Sequence, residues 1–125
     1  MDITADEIKE CAMKYANDNV KDIFEDLNKF ENLRFTVEII TFNRNQETDN
    51  MKRNEDWKQR EINKLNSLSR NDITLNNEMK KTKIEILRYD YRIDMCNFKI
   101  TYYNQKLIEL ENTIKPFEDK LLNYL

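Results

Sequence analysis

Glycine and histidine are absent from this 125-residue chain, proline occurs once and cysteine twice. Each absence removes a class of chemistry. Without glycine, the phosphate-cradling loops and dinucleotide folds that need close backbone approach are excluded. Without histidine, no Ser-His-Asp or Cys-His pair can form, and the usual general base near neutral pH is missing. Catalysis would have to rest on carboxylates, lysines or tyrosines. Cys11 and Cys96 lie too far apart in sequence for a CxxC pair, and two cysteines cannot complete a four-ligand zinc site. They read as free, partly buried thiols in a reducing compartment, with a disulfide open only if the chain ends meet. No cofactor and no metal is expected.

The missing glycines have two explanations. Gly, Ala and Pro total four residues while Asn alone numbers 17, the pattern of an AT-rich coding sequence. Independently, a chain of long helices with few connections has little use for the positive φ that glycine supplies. No apolar run approaches the ~18 residues needed to cross a bilayer. The opening MDITADEIKE is acidic and unlike a signal or transit peptide, so a cytoplasmic protein is expected.

What is present is enough for one folded domain. Leu, Ile, Val and Phe number 32, about a quarter of the chain, above the ~20% floor associated with disorder, and the net charge is only -3. Thr4 and Glu7 form a capping box, which starts a helix. Behind it Ile8, Cys11, Ala12, Tyr15, Val20, Ile23, Phe24, Leu27 and Phe30 recur mostly at three- and four-residue steps. Residues 33–42, LRFTVEIITF, fit a helix through Leu33, Val37 and Ile40 and a strand through Phe35, Val37, Ile39 and Thr41. A lone strand cannot satisfy its backbone, so the helix is preferred, giving a first helix over 4–42. NRNQETDN at 43–50 has no apolar residue and is expected to be a loop, followed by a helix over 51–68 with a narrow apolar face. NSLSRND at 66–72 reads as a second loop or a surface bend.

The strongest signal follows. Steps of four and three connect Leu75, Met79, Thr82, Ile86, Tyr89, Ile93, Cys96, Ile100, Tyr103, Leu107, Leu110, Ile114, Phe117, Leu121 and Tyr124, the spacing of a coiled coil. It predicts a helix over 73–115, kinked near Pro116 and followed by a C-terminal segment over 116–125. A second stripe, Ile84, Leu87, Tyr91, Met95, Phe98 and Tyr102, falls roughly opposite the first at 100° per residue. A helix apolar on two opposed sides requires cover on both. A helix from Leu75 to Lys115 would run roughly 60 Å, against about 36 Å for a compact globule of this size, so an overhang needing a partner is expected.

Charge is uneven along the chain, with residues 1–50 acidic and 51–92 basic. The basic charges are interleaved with Glu55, Asp56, Glu61, Glu78 and Glu85, the pattern of ion pairing on a solvated face, and nucleic acid is not expected as a partner. Acidic first half and basic middle could pair, within one chain or between chains. Trp57 stands among charges in EDWKQRE and reads either as a partner anchor or as docked on its own chain.

These observations predict an elongated all-α protein, a helical hairpin or coiled-coil-like bundle forming a single domain. Its expected work is non-catalytic: a structural or adaptor subunit of a larger assembly. The expected partner-binding residues are Trp57, Ile84, Leu87, Tyr91, Met95, Phe98 and Tyr102, meeting another protein or a second copy by helical packing. In overall character the chain is similar to small helical subunits of cytoskeletal, ciliary or kinetochore-type assemblies, a similarity of composition with no diagnostic motif. The alternative is a self-contained regulatory module, binding a protein effector or nucleic acid, whose second stripe is covered internally.

Overall fold

The computed structural model describes residues 4–8, 18–68 and 73–124. Two long helices dominate, α1 (Asp18–Ser67, 50 residues) and α2 (Ile73–Asn123, 51 residues), and no strand occurs among the described residues. They pack against each other as an all-α helical hairpin. Residues 5–8 are also helical, and the Glu7 amide donates to Thr4 Oγ1 at 3.2 Å, one half of the expected capping box. The remainder of the predicted start, including Cys11, lies outside the described residues.

The chain divides into two compact units, Met1–Ile40 with Lys106–Leu125, and Thr41–Gln105. In the first unit α1 turns Ile23, Asp26, Phe30, Leu33, Val37 and Ile40 inward at alternating three- and four-residue steps, all buried or half-buried. From α2 come Leu107, Leu110, Ile114, Phe117 and Leu121, of which Ile114 is only 4% exposed. The polar member of this seam, Asp26, is held by Lys120 Nζ at 2.8 Å and by the Tyr124 hydroxyl, which donates at 3.4 Å.

In the second unit α2 supplies Met79, Thr82, Ile86, Tyr89, Ile93, Cys96, Ile100 and Tyr103, again all buried or half-buried. The facing positions of α1 keep the same three-four rhythm through Arg44, Glu47, Met51, Asn54, Lys58, Glu61 and Leu65, yet most are polar. Their charges are matched across the seam: Arg44 donates to Asn104 at 3.2 Å, Glu47 meets Lys99 at 3.6 Å, and Lys58 meets Asp90 at 2.5 Å. Partner numbers fall as position rises, so the two segments run antiparallel.

Three expectations are corrected here. Residues 43–50 are helical rather than a loop, so the helix predicted over 51–68 is the second half of α1. The segment has no apolar residue, but Arg44 and Glu47 occupy inward positions, and nothing in it breaks a helix. Thr48 and Asn54 bond back to the carbonyls of Arg44 and Asn50, which satisfies groups that would otherwise favour a turn. Third, α2 does not stop at 115 but passes through Pro116 to Asn123. Pro116 cannot donate to the Asn112 carbonyl; both residues are exposed, so water can donate to that carbonyl instead. Of the two readings of 66–72, the bend within one long helix is not supported: α1 ends at Ser67 and α2 begins at Ile73, while residues 69–72 lie outside the described residues.

Candidate functional site

The inner face of α2 is used up by the hairpin, and the outer face of the same helix is not. In the second unit Ile84, Leu87, Tyr91, Met95, Phe98 and Tyr102 are all exposed, Phe98 by 69%. The reading of two opposed stripes therefore holds as geometry: one is covered by α1, the other faces outward. The six large side chains make one continuous exposed apolar stripe rather than scattered surface hydrophobes.

The spacing of the outer stripe differs from that of the inner one. Ile84, Leu87 and Tyr91 repeat eleven residues later as Met95, Phe98 and Tyr102. An eleven-residue repeat gives about 3.67 residues per turn, against 3.5 for the heptad seam. The outer stripe thus follows a nearly straight line along the helix while the inner seam winds left-handed.

Charged groups border this face. Arg88 and Arg92 line a shallow groove with Ile84, Leu87 and Tyr91. Arg88 is paired to Glu85 at 2.7 Å, and the Arg92 guanidinium lies 5.5 Å from the centre of the Tyr89 ring. Trp57 does not join the stripe. Its ring sits 6.1 Å from that of Tyr89 in a tilted contact, although 41% of the residue remains exposed. It is docked on its own chain with one side open.

Sequence reasoning missed a second exposed run. Phe35, Ile39 and Phe42 stand outward on α1, while Leu33, Val37 and Ile40 turn inward. The strand-like alternation of LRFTVEIITF arises because both faces of this helix are apolar. A count at three- and four-residue steps starting from Phe35 would have found it.

Acid-base chemistry has little foothold. Asp26 titrates below its ordinary value, chiefly because Lys120 donates a hydrogen bond to it, against the opposing effect of burial. The Cys96 thiol is pushed up, first by desolvation and then by its hydrogen bond to Glu47, so it is a protonated, buried thiol at neutral pH. Among the described residues no group of three or more His, Cys, Asp or Glu is placed to hold a metal. No helix among them is long and apolar enough to cross a membrane.

Comparison with protein families, curated proteins and solved structures finds no match. The functional reading therefore rests on the two faces of α2.

Proposed function

We propose that this chain is a non-catalytic structural or adaptor subunit of a protein assembly, and that it docks through the outer face of α2. The observation that carries this reading is the contrast along one helix between a seam covered by α1 and an opposite stripe of six exposed apolar side chains. At roughly 100 Å² of open surface per large side chain, six supply about 600 Å² per partner, near the ~800 Å² of a standard stable interface. Apolar area supplies the attraction, and the bordering charges set partner choice and register. A self-contained module would have required this stripe to be covered within the chain.

The test is a photo-crosslinking residue placed at Phe98 in the full chain within cells of its source, with Lys115, an exposed polar position, as control. The expected result is a protein adduct of discrete mass from position 98 and none from 115. Equal capture at both positions, or none at 98, overturns the proposal.

A further inference from the structure

Resting on that docking face, we infer that its occupant is an acidic amphipathic helix of another protein, lying along α2 with an apolar side chain in the groove of Ile84, Leu87 and Tyr91 and carboxylates on Arg88 and Arg92. All of these residues lie in one compact unit, Thr41–Gln105. From Ile84 to Tyr102 the stripe rises roughly 27 Å, about five helical turns. At 100° per residue its six side chains fall within about 80° of the circumference. That is the narrow width of a seam with one other helix, rather than the broad face that beds into a core or a bilayer.

The charges around the stripe set the sign of the partner. Lys81, Arg88 and Arg92 follow one border, Lys83 stands on the other, and Lys80 extends the line of the stripe one turn before Ile84; all five are exposed. Against them the rim carries Asp94. Asp90 is half-buried and paired to Lys58, and Lys99 is held by Glu47, so neither adds to the balance. Glu78 and Glu85 lie farther round toward the seam with α1 and are half-buried. Lys80, Lys81 and Lys83 make no ion pair among the described residues. Arg88 holds Glu85 three residues away, a contact worth little in solvent that can exchange. The Arg92 guanidinium lies over the Tyr89 ring rather than on a carboxylate.

Arg88 and Arg92 also fix where the acids belong. They flank the groove of about 420 Å³ that Ile84, Leu87 and Tyr91 line. A guanidinium can take a carboxylate through two parallel N–H donors. A helix that sets a Leu or Phe into this groove places its residues three and four positions away beside the two guanidiniums. Asp or Glu there joins apolar burial to charge-assisted hydrogen bonds.

The same unit of a second copy does not supply such a helix. Two α2 stripes packed antiparallel would set Lys81, Arg88 and Arg92 against the same border of the other copy. Packed parallel, they would set Lys83 beside Arg88, with relief only at Asp94. The outward line of α1 in this unit continues from Phe42, at steps of eleven and seven residues, to the exposed Arg53 and Arg60, and would bring base to base. A nucleic acid would answer the bases but leave Ile84, Leu87 and Met95 without an apolar counterpart.

Charge reversal on the crosslinking chain tests this in cells of its source. The full chain with the photo-crosslinker at position 98 is made with Lys83→Glu and Arg92→Glu, one base from each border, and separately with Lys52→Glu and Arg53→Glu, the same change in charge on α1. Mass spectrometry of the adduct identifies the captured segment. It is expected to belong to another protein, to carry more Asp and Glu than Lys and Arg over about 18 residues, and to repeat apolar residues at three- and four-residue steps. Adduct yield is expected to fall at least about fivefold with Lys83→Glu and Arg92→Glu and to stay within about twofold in the α1 control. Far-UV circular dichroism of the purified chains confirms that each is helical, and Lys83→Gln with Arg92→Gln replaces the reversed pair if it is not, with an expected loss of at least about twofold. A neutral or basic captured segment, a segment of a second copy, a yield indifferent to the rim charges or an equal loss in the control overturns the acidic occupant and leaves the docking face standing. A lipid or nucleic-acid adduct, or none, overturns both readings.

Discussion

Ile114→Ala and Phe98→Ala separate the two faces of α2 energetically. Ile114 is 4% exposed in the seam of the first unit, and Phe98 is 69% exposed on the outer face of the second. Emptying a buried Ile site costs about 2–5 kcal/mol, and a seam two helices thick allows some collapse, so about 3 kcal/mol is expected. For Phe98, roughly a third of a ~200 Å² side chain is covered, worth about 1.5 kcal/mol at ~25 cal/mol per Å². Alanine returns about 0.5 kcal/mol through its better helix propensity, leaving a loss of about 1 kcal/mol. At about 4 °C of melting temperature per kcal/mol, the shifts are roughly 12 °C and 4 °C. Thermal and urea unfolding followed at 222 nm, at about 2 µM to keep association out of the comparison, measures both. Equal losses at the two positions would refute the division of α2 into a folding face and a docking face.

Other outcomes follow from single groups. Thr82 is 2% exposed in the seam and its hydroxyl has no hydrogen-bond partner, so Thr82→Val should raise stability by about 1 kcal/mol. Thr101→Val should bring no such gain, because that hydroxyl donates to the Asn97 carbonyl at 2.9 Å in an exposed position; equal melting shifts would contradict the assignment. Asp26 titrates below its ordinary 3.8, so the stability it contributes is complete above that value and is lost as pH falls through the lower native one. Lys120 titrates above its ordinary 10.5, chiefly through its hydrogen bond to Asp26, so its contribution is complete below that value and is lost as pH rises through the higher native one. The melting difference between wild type and Asp26→Asn should therefore be flat from pH 5 to 9 and shrink in acid; a difference that grew in acid would be inconsistent with the pair. Cys96, buried and with its thiol pushed up, should alkylate at pH 8 far more slowly in the folded chain than in urea. Peptide mass mapping reads the modification at Cys96, and equal rates in the two states would place it at the surface.

The legible parts of the fold were those in which one helix carries its own signal. The heptad run from Met79 to Leu121 lies on the covered side of α2 at every described position, and the outer stripe from Ile84 to Tyr102 is exposed throughout. What was illegible depended on the other helix. Arg44 and Glu47 fell in a segment read as a loop, and Lys58 among charges read as a solvated face, because an apolar count ignores charge and their partners Asn104, Lys99 and Asp90 are remote in sequence. Only once the two helices are laid antiparallel does the heptad rhythm of α1 emerge through its polar members. Trp57 was ambiguous for the same reason, since its contact Tyr89 lies on α2. The exposed Phe35, Ile39 and Phe42 were hidden in plain view by β-branched neighbours that imitate a strand.

The most direct test of the account is the chemical accessibility of single cysteines on the two faces, in a background carrying Cys11→Ser and Cys96→Ala. Phe98→Cys and Ile100→Cys are two residues apart on α2 and on opposite faces of it. With a thiol reagent at about 2 µM protein, Phe98→Cys should react at nearly the rate of an unfolded peptide and Ile100→Cys many times more slowly. Slow reaction at both positions, or equal rates at the two, would contradict the division of α2 into a covered face and an open one.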